Sequence, residues 1–566
     1  MKLLSLKFSI LLLFITKIVL QIYREQLDRN FYKIDDILNS LIILFILYAF
    51  YIQKDNLFKK VRKDTNWLFS FTVITTALIF ILRTIFSLPY SFINTDNIIW
   101  FLSVNRMIYF DLNAFSSTWN EHTTLLAYIL KVSAQFLNYF DLGFGISSYL
   151  IIFLLLSATS FFLLLKILTF YTNSLEIRYI VSTIYLLDLV ASGNRTIRFD
   201  QRFLGSLLLL IFLYNFLTYM KTEKFSYLHI CVIIGTLIIF NQESYSLTVL
   251  LFFITYLYVM KPTFLLISKL FLTFSLSTLA IVFFHLQSGQ LSELWNLNIL
   301  FHLNSSRNQK VNILSAISGV EFFPSINIYL VLFLIWLFFS YFNPKLLKRK
   351  EILILNAYII GEIFHLLLTG PRWIAYGQIF RVPLMIVLCV LLNKYVQLIK
   401  IERVFENLSN KWLILIIFPF LVVTFIGGPN SYDRKIQREQ SILDNVDLRD
   451  VVQSEILEYS QTKSYFLWTE NKNWSWMYLE ADLVPATRMW LWMQAYEEKK
   501  SYFSWDDDRW GYEKIREYWL EDIKTENTNL FIVDTNFIPL PDFVHEYLKN
   551  NTKLTKCIDS YCIYKK

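Results

Sequence analysis

Apolar residues in this chain come in blocks of roughly 16–24, the length at which a helix crosses the hydrocarbon core of a bilayer. A segment in lipid must satisfy its backbone hydrogen bonds internally, so unbroken apolar runs of this length specify helices. About thirteen spans are expected, at 5–23, 37–52, 67–88, 146–168, 176–192, 203–220, 226–240, 245–260, 263–286, 326–343, 352–369, 374–395 and 412–428. Of the 566 residues, 55% are hydrophobic and 17% are charged, with 52 Phe, 34 Tyr and 15 Trp. Soluble domains carry about 25% charged residues, so a cytosolic enzyme, a disordered chain and a secreted disulfide scaffold are all excluded. The first apolar run follows Lys2 and Lys7, but Lys17 interrupts it and no small-residue cleavage site follows. It reads as an anchor, not a removed signal.

The net charge of +8 is not a nucleic-acid signal, because its distribution is uneven. Residues 429–566 carry 24 Asp/Glu against 18 Lys/Arg, while the remainder carries 35 Lys/Arg against 21 Asp/Glu. Basic runs at Lys54–Lys63, Lys345–Lys350 and Lys394–Lys411 fall on one side of the expected spans. The bias of Lys and Arg toward cytoplasmic loops then puts the N-terminus inside and the tail outside. Two parts are expected: a transmembrane domain over 1–428 and an extracytoplasmic α/β domain over 429–566, in a multi-pass plasma (inner) membrane protein. Three outer pieces result, at 89–145, 287–325 and 429–566. Within the first, segments 97–110 and 122–140 are apolar enough to lie along the interface as helices.

In the tail, KSYFLWT (463–469) and NLFIVD (529–534) predict buried strands. Segments 512–523 and 541–549 predict helices, and 553–566 a hairpin. Cys557 and Cys562 flank the turn sequence IDSY and are expected to form a disulfide in an oxidising compartment. Cys231 and Cys389 lie within apolar spans as packing residues. Eight of the 15 tryptophans lie in this tail, which suits a small core with a membrane-facing belt, or alternatively a sugar-stacking platform. Asp506, Asp507 and Asp508 precede the helix at 512–523 and read as an acidic helix start, not a metal site.

Ionisable groups at the outer surface are informative because buried charge there needs a partner or a role. Asp96 opens the first outer loop, Arg106 follows on the same segment, and Glu121 and His122 stand between the two interfacial segments. The turn 193–202 packs Arg195, Arg198, Asp200 and Arg202 together. Arg307 lies in the second loop, and Arg372 and Tyr376 lie at the outer end of the span at 374–395. Cations collected on the side that the orientation rule disfavours fit an anionic ligand such as a lipid phosphate. Each taken singly also fits snorkelling to lipid headgroups or pairing with a neighbouring carboxylate.

Segment 93–130, INTDNIIWFLSVNRMIYFDLNAFSSTWNEHTTLLAYIL, resembles the first extracytoplasmic loop of the GT-C superfamily of polyprenyl-phosphate-sugar-dependent glycosyltransferases. In style it is closest to the protein O-mannosyltransferases and the lipid A aminoarabinose transferases. Asp96 matches the family acid, with Asn97 where Glu is usual, and Arg106 matches the Arg near the helix end. Glu121-His122-Thr123-Thr124-Leu125 stands where a Glu-Lys-Pro-Pro-Leu motif is usual. The loop holding Asn298 and Arg307 resembles the family's phosphate-binding loop. Residues 371–388 resemble a late Arg…His-Tyr…Pro segment, with Ala375 in place of His and Tyr376 as the Tyr.

The resemblance implies inverting transfer of a sugar from a polyprenyl-phosphate donor to an acceptor hydroxyl on a lipid, glycan or protein. No cofactor and no divalent metal are expected. Asp96 suits the general base, with Glu121 as competitor. Arg307, Arg372 and His122 suit stabilisation of the departing phosphate, with the 195–202 turn in reserve. A polysaccharide polymerase or ligase that uses lipid-linked glycans, and a lipid or sugar transporter, are the alternatives. The transporter would predict paired halves or broken helices at the midplane, and the sequence has neither.

Overall fold

The computed structural model describes residues 95–114, 124–140, 146–191, 201–241, 245–288, 290–291, 324–369, 381–398, 464–468, 484–487, 512–535, 540–558 and 561–566. The spans expected at 5–23, 37–52, 67–88 and 412–428 lie outside these residues, as does the boundary at 428/429.

The first outer loop supplies two helices, α1 (Thr95–Tyr109) and α2 (Leu125–Asn138). Helix α2 is amphipathic. Leu126, Ala127, Leu130, Ala134 and Leu137 are buried on one stripe, while Val132, Phe136, Tyr139 and Phe140 are exposed. An exposed aromatic edge on a helix too short to span fits an element lying along the membrane surface.

A helical bundle follows. Its members are α3 (Ile146–Ile167), α4 (Leu175–Ala191), α5 (Gln201–Thr222), α6 (Phe225–Asn241) and α7 (Ser246–Met260). They continue with α8 (Phe264–Gln287), α9 (Pro324–Phe342), α10 (Lys350–Thr369) and α11 (Arg381–Leu398). Each stands where an apolar run predicts one; of the span expected at 374–395, residues 374–380 lie outside the described residues. Among the described residues, three stretches are long and apolar enough to cross a membrane: Ile151–Phe170, Phe203–Thr222 and Phe264–Gln287.

Their surroundings differ. Most of the α5 stretch is enclosed by other helices, whereas only 6% of the α8 stretch is buried. Phe264, Leu265, Phe271, Leu276 and Leu279 of α8 are bare in the isolated protein, an apolar face that only lipid would cover without cost. The 24 residues of α8 rise about 36 Å at 1.5 Å per residue, enough for a hydrocarbon core of about 30 Å. Small residues let the helices approach closely. A Cβ on Gly361 of α10 would lie 2.8 Å from Thr248 Cα of α7.

The tail is an α/β unit. Strands β1 (Ser464–Trp468), β2 (Val484–Pro485), β3 (Leu530–Asp534), β4 (Lys553–Ile558) and β5 (Tyr561–Lys565) form one sheet in the order β2-β1-β3-β5-β4. β1 runs parallel to β2 and β3, and β5 pairs antiparallel with β3 and β4. Helices α12 (Tyr512–Thr525) and α13 (Asp542–Asn551) supply one cover.

Side chains alternate across a strand, and the two faces of this sheet enter different cores. Phe466, Trp468, Phe531 and Val533 pack with Trp519, Phe543, Val544 and Leu548 of the tail's own helices. Tyr465, Leu467, Leu530, Ile532, Tyr561 and Ile563 belong instead to the large core that continues through α1, α2 and the bundle. The tail is therefore built into the membrane part. Trp468 and Trp519 are core residues, and the other six tail tryptophans lie outside the described residues.

Cys557 and Cys562 face each other on β4 and β5 and are disulfide-bonded, while Cys231 and Cys389 are free and buried. Alkylation of denatured, unreduced protein is expected to label two thiols per chain, and four after reduction. Labelling of four without reductant would remove the bond. The loop it closes is short, so reduction is expected to change stability only modestly.

Candidate functional site

Asp96 is the second residue of α1, in its first turn, and Arg106 lies in the last turn of the same helix. The ten-residue separation corresponds to about 15 Å along the axis. Helix α1 is held along its length. The Tyr149 ring of α3 stacks on Phe101 at 4.0 Å between centroids. Its hydroxyl lies 2.6 Å from Asn105 Oδ1 and 3.0 Å from the Phe101 carbonyl oxygen. Trp100, Phe101, Leu102, Val104 and Met107 are buried alongside.

Arg106 is fully enclosed, and the tail surrounds it. Both terminal nitrogens donate to Glu526, Nη1 reaching Oε2 at 2.9 Å and Nη2 bonding Oε1. Nη1 also donates to the Pro485 carbonyl of β2, and Asp522 Oδ2 lies 3.8 Å from Nη2. Local structure explains the convergence. Trp519, Asp522, Ile523 and Glu526 form one buried stripe at helical spacing. Asn527 then takes a left-handed conformation (φ 47°) that ends the turn immediately after Glu526. Arg106, expected from the sequence among the substrate-binding residues, has its guanidinium paired with tail carboxylates.

The start of α2 is tied to the end of α8. Thr124 Oγ1 lies 2.9 Å from His285 Nε2, while His285 Nδ1 lies 2.8 Å from the Ile281 carbonyl oxygen one turn back. With Nδ1 protonated and donating to Ile281, Nε2 accepts from the Thr124 hydroxyl. Tyr128 packs edge-on against Phe284 at 4.9 Å, and its hydroxyl donates to Gln290 Oε1 at 3.4 Å. Burial raises the Tyr128 phenol above its ordinary range, so it remains a donor.

Glu121, His122, Arg195, Arg198, Asp200, Arg307, Arg372 and Tyr376 themselves lie outside the described residues, and Arg202 is the second residue of α5. Sequence reasoning did not single out Glu526, Asp522 or His285. It also passed over Glu362 and His365 of α10, both fully enclosed. The His365 ring lies 4.1 Å from that of Tyr245, and the Glu362 carboxyl lies beside the Thr248 hydroxyl. One acid within an apolar run was the available signal.

No family model matches the chain, and no curated protein matches it. Among solved structures, the chain is similar to ArnT from Cupriavidus metallidurans bound to undecaprenyl phosphate, at 9% identity. That alignment covers 88% of this chain and 98% of that one, with a TM-score of 0.49. It is also similar to the Archaeoglobus fulgidus oligosaccharyltransferase in its apo form, at 10% identity over 83% of this chain and 70% of that one, with a TM-score of 0.48. The archaeal oligosaccharyltransferase AglB from the same organism, in complex with an inhibitory peptide and a dolichol-phosphate, aligns at 10% identity over the same shares, with a TM-score of 0.45.

Proposed function

We propose that this protein is a GT-C-type inverting glycosyltransferase, which moves a sugar from a polyprenyl-phosphate donor to an acceptor hydroxyl at the extracytoplasmic face of the membrane. The observation that supports this most directly is α1: a helix outside the expected spans that opens on Asp96 and is packed against the bundle by Tyr149, with its far end buried at Arg106. In this reading a carboxylate stands at the rim of the bundle, where a lipid-anchored headgroup and an acceptor from the aqueous side can meet.

The reaction needs few parts. Asp96 takes the proton from the acceptor hydroxyl as its oxygen bonds to the anomeric carbon. The bond from that carbon to the phosphate oxygen breaks, and both electrons leave with the polyprenyl phosphate. Attack opposite the leaving group inverts the anomeric configuration. Arg307, Arg372 and His122 stabilise the charge gathering on the phosphate, with Arg195, Arg198 and Arg202 in reserve. Glu121 and Asp200 serve acceptor binding or orientation. Chemistry of this kind asks no cofactor of the protein.

Right-side-out vesicles carrying the protein, supplied with a panel of radiolabelled polyprenyl-phosphate sugars, are expected to transfer label to endogenous acceptors with inversion. Transfer supported only by nucleotide sugars from the cytoplasmic side would overturn both the donor class and the orientation.

A further inference from the structure

The geometry points to Glu526 as a positioning residue of the active site: through Arg106, the tail domain fixes the helix whose other end carries Asp96. This rests on the transferase reading above and adds to it a role for the tail. Glu526 stands 420 residues from Arg106 in sequence, yet it takes the guanidinium with both carboxylate oxygens. Bidentate pairing of this kind fixes direction as well as distance, which a Lys ammonium cannot do.

Two separate pieces of the tail meet at this one side chain: the Pro485 carbonyl of β2, and the C-terminal end of α12, which brings Asp522 and Glu526. Helix α1 packs directly on β2, and the sheet face bearing Leu467, Leu530 and Ile532 continues the same core. A surface ion pair between two mobile parts would leave its charges in water. Here all the charged groups are enclosed, with Arg106 at 0%, Asp522 at 3% and Glu526 at 5% exposure. Such a cation, if it lost its carboxylates, would not stay where it is.

Helix α1 behaves as a short rod. Tyr149 of α3 also holds it at Phe101 and Asn105, so loss of the Arg106 pairing is expected to loosen its seating by a small displacement that the Asp96 end shares. Misplacement of a reacting group by about 1 Å costs about a hundredfold in rate. In the proposed function the donor phosphate is held by Arg307 and Arg372, which belong to other segments of the sequence than α1. The expected signature is therefore a fall in kcat with little change in the donor KM.

The test uses the full-length protein in nanodiscs, with Glu526→Gln, Glu526→Asp and Arg106→Lys. Two readouts are taken: hydrogen exchange of 95–109 and 484–487, and kcat and KM for a polyprenyl-phosphate sugar. Glu526→Gln is expected to raise exchange in both segments and lower kcat by about a hundredfold, with the donor KM within about twofold. Glu526→Asp keeps the charge and is expected to fall between this variant and wild type, which preserves the test if the Gln variant does not fold. Arg106→Lys keeps the charge but not the fork, and is expected to resemble Glu526→Gln. Raised exchange with kcat at the wild-type value would overturn the proposal, as would unchanged exchange in all three variants. If the wild type transfers no sugar, the function reading fails, while the exchange data still decide whether Glu526 docks the tail.

Discussion

Asp96→Asn is expected to abolish sugar transfer while leaving expression and donor binding close to wild type. The amide preserves size and hydrogen-bonding reach but cannot accept a proton from the attacking hydroxyl. Loss of a positioned general base lowers rates by about 10²–10⁴. Arg307→Ala and Arg372→Ala are expected to differ from it in kind. Each removes a charge-assisted contact to the phosphate of about 1.5–3 kcal/mol, and so weakens donor binding as well as turnover. Purified protein, a polyprenyl-phosphate sugar and an acceptor extract suffice for the comparison. Wild-type turnover in Asp96→Asn together with a dead Glu121→Gln would transfer the base role to Glu121. Full activity in both would place the chemistry elsewhere in the molecule.

The second large effect concerns the seam between α7 and α10. At Gly361, an added Cβ would meet Thr248 at its Cα (2.8 Å) as well as its hydroxyl (2.7 Å). Backbone cannot rotate out of the way, so Gly361→Ala forces the two helices apart, and overpacking of this kind costs about 1–3 kcal/mol. The next residue, Glu362, is enclosed against the same partner helix and would be disturbed with it. Two other glycines calibrate the expectation. At Gly205 the nearest atom belongs to the Tyr245 ring (2.5 Å), and at Gly235 it is the Val249 methyl (3.2 Å). Both are side-chain atoms, and the second is only slightly too close. Thermal unfolding in detergent is expected to rank the Ala variants Gly361 lowest, Gly205 intermediate and Gly235 nearest to wild type. An unchanged midpoint for Gly361→Ala would show that the seam opens freely.

Local signals were readable wherever one segment decides its own structure. Apolar runs predict α3 through α10 nearly to their ends, because a helix in lipid has no alternative way to pair its backbone. KSYFLWT and NLFIVD predict β1 and β3 because short, continuous apolar runs bounded by polar turns suit buried strands. The two-residue strand β2 has no such pattern: Val484–Pro485 becomes a strand only because β1 lies beside it.

The fate of Arg106 was hidden for a related reason. Its counter-charges on Glu526 and Asp522 lie about four hundred residues away in the sequence, beyond the reach of any local pattern. A trace of the answer was nonetheless present in α12. Asp522 and Glu526 sit beside Trp519 and Ile523 on the stripe that must face inward. Acids on an apolar stripe call for a buried cation, and that inference was available from spacing alone. Glu362 carries a weaker signal still: a single acid in the middle of an apolar run, away from the charges gathered at the outer rim.

The two-faced sheet of the tail has a consequence for how the molecule is assembled during translation. Helix α1 emerges early from the ribosome, and the residues that seat it, Pro485, Asp522 and Glu526, are made roughly four hundred residues later. Until then the guanidinium lacks its tail carboxylates, and the core around α1 lacks the strand residues that complete it. A nascent or truncated chain ending before Glu526 can thread its helices into the bilayer and still hold its first loop unseated. The seating of that loop therefore waits on a part of the chain made much later. Insertion of the helices and seating of the first loop become separate events.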